Sequence, residues 1–291
     1  MAMEAIIQVI IGGLLIGGVY ALISLGITLI WGVVGIVNFA HGEFLMLGMY
    51  ASYWLFHLMG IDPYLSILIV TPLFFLFGVL IQRAIFQPIL DAPHLTHVFA
   101  SFGLAILLQN LALFFWSPDV RSIKTTYSSL SLRAGDFMIS FPRLVAFVAA
   151  VGIMLGIHYF LKNTYTGRAI RATSQDPSAA LLMGINTKRI FLLAFGIASA
   201  CVGIAGALLI PFYYVFPSVG AYFVLTAFVI VVLGGMGSMT GAFFGGLIIG
   251  VIEAMSGYFI SIAFKEGIYY IIFWFILIYK PTGLFGRARL S

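Results

Sequence analysis

From Ala5 to Gly42 the chain carries no Asp, Glu, Lys or Arg. So long an uncharged run cannot form the surface of a water-soluble domain, where charged side chains dominate the exposed positions. Its only stable surroundings are other protein or lipid. The remaining sequence follows the same trend. Of 291 residues, 63% are hydrophobic and 8% charged, where a soluble domain carries about 25% charged residues. The chain therefore reads as an all-α polytopic membrane protein, a single transmembrane domain over 1–291. A soluble enzyme, a nucleic-acid binder and a disordered scaffold are excluded. The net charge of +5 reports orientation in a membrane rather than affinity for nucleic acid. The first residues contain Glu4 and no basic residue, and run into an apolar stretch longer than a signal-peptide core, so no cleavable signal is expected. Cys201, the only cysteine, lies in an apolar run and is expected to pack, leaving no intrachain disulfide or cysteine-based metal site.

A membrane-spanning helix needs about 20 apolar residues. Segments near 6–31, 36–57, 64–82, 95–116, 144–161, 190–215, 220–236, 241–263 and 266–280 satisfy this, giving about nine spans, eight to ten allowing for the first 57 residues. Nine spans place Arg83, Lys162, Arg168, Arg171, Lys188, Arg189, Lys280, Arg287 and Arg289 on one side, and Arg121, Lys124, Arg133, Arg143 and Lys265 on the other. The first side is expected to be cytoplasmic, with the C-terminus inside and the N-terminus outside. The outer segment 127–141 alternates apolar and polar residues around Gly135-Asp136 and reads as a small β-hairpin. The inner segment 162–189 holds two helical pieces. One follows Gly167 and carries Arg168 and Arg171. The other starts at Pro177, with Asp176 as its N-cap and Gly184 as its stop.

No G-x-x-x-x-G-K-[ST] loop occurs, so the chain has no Walker site; Gly235-Met-Gly237 lacks the surroundings of a Rossmann fold, and no metal-ligand spacing is present. Such a chain equilibrates its solute, couples it to an ion, or borrows an ATPase. Three features rise above the apolar background. Asn38-Phe-Ala-His41-Gly-Glu43 is a polar cluster between apolar runs. It is either a helix break lining a pathway or gate, or an interfacial turn in which Asn38 caps the next helix; lipid offers it no hydrogen bonds in either case. Gly234-Gly235-Met-Gly237-Ser238 is either a second break facing a solute or, the favoured alternative, a tight turn before a packing helix, with Gly241 and Gly245 continuing a small-x-x-x-small ladder. Glu253 lies inside an apolar span, where a charge costs about 2.5–3.5 kcal/mol. It needs His41, Asn110, water or a proton as partner, and its functional and structural readings both stand. Gly13-x-x-x-Gly17 and Gly152-x-x-x-Gly156 read as packing faces, and Gln109 and Asn110 as interhelical glue. The inner helical pieces fit a peg for a soluble partner as well as a basic loop on an anionic leaflet.

These residues resemble the permease subunits of branched-chain amino-acid ABC importers. The resemblance is carried by Asn38-Phe-Ala-His-Gly-Glu43 with Phe-Leu-Met-Leu-Gly48, by Thr166-Gly-Arg-Ala-Ile-Arg171-Ala172 with Asp176, Ala179, Ala180 and Gly184-Ile-Asn186, by Val232-Leu-Gly-Gly-Met-Gly-Ser238 with Gly241 and Gly245-Gly246, by Gly250-Val-Ile-Glu253, and by Lys280-Pro-Thr-Gly-Leu-Phe-Gly286. They span most of the chain in the family's order and look most like the H-type subunit for leucine, isoleucine and valine. The resemblance implies a bacterial inner-membrane protein working with a second homologous permease, two cytoplasmic ABC ATPases and a periplasmic amino-acid-binding protein. The chain itself would then be a non-catalytic subunit with no cofactor of its own, ATP and Mg belonging to the ATPases. It places Gly167, Arg168, Arg171, Asp176, Ala179, Ala180 and Gly184 against an ATPase. It places Asn38, His41, Glu43, Gly234, Gly235, Gly237 and Ser238 near the solute pathway, with Glu253 as a further pathway candidate. Permeases for urea and short amides share these motifs. An ion-coupled secondary transporter of neutral amino acids, built on the breaks near 38–43 and 234–238 and on Glu253, remains the alternative from another class, and an accessory membrane anchor the third.

Overall fold

A computed structural model describes residues 2–135, 137–261, 264–280 and 282–286. The expected Gly135-Asp136 turn is thus described at Gly135 alone, and Pro281, Arg287 and Arg289 lie outside the described residues. The elements are α1 (Ala2–Val34), α2 (His41–Met59), α3 (Pro63–Ile81, continued by one π-turn and one 3-10 turn to Ile89), α4 (His94–Trp116), β1 (Ser131–Ala134), β2 (Phe137–Ser140), α5 (Phe141–Asn163), α6 (Tyr165–Gln175), α7 (Pro177–Leu182), α8 (Thr187–Leu209), α9 (Val219–Gly234), α10 (Met239–Phe259) and α11 (Lys265–Tyr279). The protein is a polytopic helical membrane protein with one small antiparallel ribbon.

Among the described residues six helices, α1, α3, α4, α5, α8 and α10, are long and apolar enough to cross a membrane, and α9 is apolar but shorter. The 16 residues of α9 rise about 24 Å, less than the roughly 30 Å of a hydrocarbon core.

Local chemistry sets the helix starts. Asp62 caps α3, with Oδ1 accepting from the Tyr64 amide at 2.9 Å and Pro63 in the first turn. Thr164 caps α6, Asn186 caps α8 and Ser238 caps α10, each accepting a first-turn amide. The hairpin pairs Ser131 with Ser140 and Ala134 with Phe137, and Gly135 at φ +64° supplies the positive φ that a two-residue turn demands. It lies against the start of α1, where the Gln8 side chain accepts from the Met138 amide and donates to its carbonyl.

The two ends of the bundle are distinct. One carries the hairpin; the other carries α6 and α7. Helix α8 sits at the centre, buried along most of its length, while α4 and α5 bury one stripe each. Beside it α1 and α10 run antiparallel with their backbones almost touching. A Cβ on Gly13 or Gly17 would meet the carbonyls of Gly250 and Gly246 at 2.7 and 2.8 Å. Gly13-x-x-x-Gly17 is thus a packing face, as expected. A Cβ on Gly152 or Gly156 would meet nothing within 4 Å, so that pair packs against no partner among the described residues. Cys201 is buried and unbonded.

Two spans are interrupted, and not where the sequence reading put them. After α1 the chain turns back over 35–40, and His41, Gly42 and Glu43 already form the first turn of α2. The break therefore starts three residues earlier than 38–43 and ends before His41. The segment 190–215 is also corrected: α8 stops at Leu209, and 210–218, framed by Pro211 and Pro217, returns into the bundle from the hairpin end.

The α1–α10 seam has a direct test. A Cβ on Gly246 would stand 2.7 Å from Ala21, so Gly246→Val should cost about 1–3 kcal/mol by overpacking. Gly103, on α4, meets nothing, and Gly103→Ala should stay within about 0.5 kcal/mol of the parent. Thermal unfolding of the two variants in detergent distinguishes them.

Candidate functional site

The first turn of α2 lies beside the middle of α1. A His41 ring nitrogen, Nε2, is 3.2 Å from the Ile23 carbonyl, and a Cβ on Gly26 would stand 2.7 Å from that ring and 2.9 Å from the Ala198 carbonyl of α8. Residues 23 and 26 lie about 12–16 Å from the C-terminal end of α1 by helical rise, which is near mid-depth for a core of about 30 Å. Helix α9 starts at the same depth from the other side. The backbones of Gly42 and Gly220 touch: a Cβ on either would fall 2.5 Å or less from the other's carbonyl oxygen. Only glycine at both positions permits this approach. Two helix N-termini, fed by returning segments from opposite ends of the bundle, thus meet inside it.

Asn38, His41 and Glu43 are all buried here, at 1%, 0% and 4% exposure. Asn38 Oδ1 accepts from the Ala40 amide at 3.1 Å, which holds the turn ahead of α2; Phe39 stacks on Phe102 and packs on Phe228. Asn38 Nδ2, His41 Nδ1 and Glu43 Oε2 have no hydrogen-bond partner among the described residues. His41 faces α1 and α8, whereas Glu43 faces α9: a Cβ on Gly220 would stand 2.9 Å from the Glu43 carboxyl carbon. The three residues share one helix start but point to different neighbours.

The second glycine-rich segment forms a turn at the α6–α7 end. Gly235 and Gly237 adopt φ +99° and +82°. A Cβ on Gly234 would lie 2.3 Å from the Gly241 carbonyl carbon and oxygen, so α9 and α10 close tightly against each other. Ser238 is the N-cap of α10. The C-terminal segment covers this turn, with the Leu284 and Phe285 amides donating to the Leu233 and Gly234 carbonyls at 2.7 and 3.1 Å. This geometry is that of a tight turn before a packing helix. It does not bring Gly234, Gly235, Gly237 and Ser238 to the Asn38–Glu43 cluster.

Glu253 has a partner that the sequence reading did not name. The Lys265 ammonium, at the start of α11, donates to its Oε1, and the Tyr20 hydroxyl also faces the carboxylate. His41 is instead engaged with Ile23, and Asn110 donates to the Ile106 carbonyl of its own helix, so neither serves Glu253 and Asn110 joins no second helix. Both partners of the pair are only partly accessible, at 32% for Lys265 and 11% for Glu253.

At the α6–α7 end the expected helical pieces are present. Asp176 Oδ1 accepts from the Ser178 and Ala179 amides at 2.8 and 3.0 Å, and Gly184 at φ +80° ends α7. Arg168, Arg171, Asp176, Ala179 and Gly184 are exposed; Gly167 and Ala180 are buried against the chain itself. Leu182 and Met183, absent from the sequence-based candidates, protrude at 89% and 82% exposure. Gly220 was also missed. It stands alone in its segment, and its role rests on the Gly42 backbone brought to it by the fold.

The sequence pattern of the family described as branched-chain amino acid transport system / permease component matches residues 9–277. Among curated proteins, the high-affinity branched-chain amino acid transport system permease protein LivH of Salmonella typhimurium is 35% identical, covering 98% of this chain and 97% of its own. Its Escherichia coli counterpart is 33% identical over the same shares, and the corresponding protein BraD of Pseudomonas aeruginosa is 32% identical, again over 98% and 97%. No solved structure matches the chain.

The Glu253–Lys265 pair makes a prediction of its own. Lys265→Met leaves a mostly buried carboxylate without its cation and should destabilise the protein by about 1–3 kcal/mol, less than for a fully buried pair because Lys265 is a third exposed. Adding Glu253→Gln should recover most of the loss in a thermal-unfolding double-mutant cycle.

Proposed function

Because the chain belongs to the permease-component family of branched-chain amino acid transport systems, we propose that it is a non-catalytic permease subunit of an ATP-driven importer for leucine, isoleucine and valine. What carries the reading is the full-length similarity to such permeases. The solute path is formed with a second, homologous permease. A periplasmic amino-acid-binding protein delivers the solute at the hairpin end, and two ABC ATPases engage the opposite end; ATP and Mg belong to those subunits. The protein sits in a bacterial inner membrane and crosses it about nine times, α2 and α9 each completing a crossing with the returning segment ahead of it, C-terminus inside and N-terminus outside. The basic residues Arg83, Lys162, Arg168, Arg171, Lys188 and Arg189 then lie on the cytoplasmic side.

Support for the ATPase contact comes from the shape of α6 and α7. A short helical pair with exposed Arg168 and Arg171 ends in a protruding apolar tip, Leu182 and Met183. Exposed apolar residues beside cations suit a groove on a soluble partner. Support for a path near Asn38, His41 and Glu43 comes from their burial at the meeting of two interrupted spans, the construction by which transporters present polar groups inside a membrane. The Gly234–Ser238 turn contributes by closing α9 onto α10. Pairing of Glu253 with Lys265 removes the lone carboxylate on which an ion-coupled mechanism leaned.

The function is tested in proteoliposomes holding this chain with its second permease and ATPases, and the binding protein outside. Leucine uptake should require ATP and the binding protein, and should survive collapse of the ion gradients. Uptake by this chain alone would instead establish a secondary transporter. Leu182→Asp with Met183→Asp should strip the ATPases during purification, lowering their recovery about tenfold, without lowering thermal stability, since both side chains contact little of their own chain.

A further inference from the structure

The Glu43 carboxyl group lies beside the first turn of α9 at mid-depth, and this juxtaposition deepens the permease reading on which the inference rests. Helix α9 begins at Val219, and Ser218 at its N-cap position supplies no side-chain hydrogen bond. The first N–H groups of a helix have no intrahelical partner and carry the positive end of its dipole. The Val219 amide is satisfied by the Phe216 carbonyl, and the Gly220 backbone lies against that of Gly42 in α2. The group beside this turn is the carboxyl of Glu43, next to Gly220. That side chain is 4% exposed, and its Oε2 has no hydrogen-bond partner. Among the described residues no cationic side chain pairs with it.

We infer that this is a zwitterion-reading site: the α9 N-terminus takes the carboxylate of an α-amino acid, and Glu43 takes its ammonium. The chemistry follows from what each group lacks. A helix N-terminus accepts an anion, and in interrupted membrane helices such ends serve the anionic group of a solute. A desolvated carboxylate lacks a cation. In the conformation described here no α9 amide donates to the Glu43 carboxyl among the described residues, so both groups are unmet, and the Gly42–Gly220 contact leaves no room for a solute between the two helices. When the ends of α2 and α9 part, an entering amino acid supplies both missing charges at once. Its carboxylate takes the free amides of α9, and Glu43 pairs with the ammonium. A neutral solute supplies neither charge, and a solute with one charge leaves one of the two groups unmet. Charge reading of this kind is independent of the aliphatic side chain.

The complete complex in lipid nanodiscs, without binding protein, allows a direct test with labelled leucine as probe and two analogues of matching carbon skeleton as competitors, 4-methylpentanoate (no ammonium) and 3-methylbutylamine (no carboxylate). Leucine should bind saturably, and each analogue should compete at least about thirtyfold more weakly than unlabelled leucine. Glu43→Gln should weaken leucine binding about tenfold or more and bring 4-methylpentanoate close to leucine, whereas Glu43→Asp should keep the preference. Equal competition by 4-methylpentanoate in the parent complex overturns the inference, as does the absence of saturable leucine binding in a complex that imports leucine, or an unchanged preference in Glu43→Gln. Should Glu43→Gln fail to assemble, the competition in the parent complex decides. A parent complex that fails to import leucine with ATP and binding protein refutes the permease reading instead, so the two failures are separately visible.

Discussion

Lipid cannot hydrogen-bond a peptide group, so every non-helical residue inside the membrane must be satisfied by protein. The two returning segments are shaped by that rule. Along 210–218, Val215 exchanges both backbone hydrogen bonds with Arg121 at 2.9 Å, and the Phe212 and Tyr213 amides fall on the Leu209 carbonyl. Along 35–40, Gly35 donates to the Trp31 carbonyl, Ala40 to the Asn38 side chain and His41 to the Asn38 carbonyl. An irregular segment can be satisfied this way only if other helices screen it from the acyl chains. That is the place of α1, which flanks α9, and of α8, which packs on both α1 and α2 and is buried along most of its length.

Screening requires close approach, and close approach requires small residues. Helix α8 reads Gly196, Ala198, Ser199, Ala200, Gly203, Ala205 and Gly206 along its buried stretch. Gly203 and Gly206 admit the Phe74 ring of α3 and the Met49 backbone of α2, each within 2.7 Å of where a Cβ would stand. The same logic sets Gly13 and Gly17 against Gly246 and Gly250. With apolar tails on all sides, there is little hydrophobic gain in burying one helix against another in a bilayer. Van der Waals contact over closely apposed backbones is therefore the main source of packing energy. The high glycine content is a condition of this architecture, and Gly42 against Gly220 is its extreme case.

This explains which parts of the protein could be read from the sequence. Helix positions followed from runs of apolar residues, and α7 from Asp176, Pro177 and Gly184, because these signals are local. The hairpin was legible because its alternation and its turn residue sit within ten positions. The interruption at 210–218 was not, although Pro211 and Pro217 bracket it. Tyr213, Val215 and Phe216 keep that segment apolar, so its hydropathy continues that of α8. The partner of Glu253 was missed for another reason. Lys265 lies in the next helix, and the sequence had placed it on a solvent-facing loop. Which charge meets which is decided by helix ends that hydropathy locates only to within several residues. At the candidate site the polar cluster itself was visible, yet Gly220 was not, since a lone glycine acquires meaning only from the backbone opposite it.

The two buried carboxylates show how differently one chain can treat the same group. Glu253 has a cationic partner, although its Oε2, like that of Glu43, has no hydrogen-bond partner among the described residues. Lys265 neutralises it, Tyr20 faces it, and the pair fastens α10 to α11 beside the end of a short connection. Hydrogen bonds to charged groups contribute about 1.5–3 kcal/mol each, which offsets much of what desolvation takes away. Glu43 has no such compensation. The dipole at a helix N-terminus offers about 0.3–1 kcal/mol, and up to about 2 in a partly buried geometry, against a desolvation cost of several kcal/mol for a buried ion. A deficit of that size is not a packing detail that neighbouring side chains could absorb, because the surrounding contacts at Gly42, Gly220 and Val224 are already at their closest approach. Stability alone would favour a neutral side chain of the same size at position 43. The carboxyl group there is therefore best understood from what the site takes up, and the tight glycine contact beside it as what closes the site.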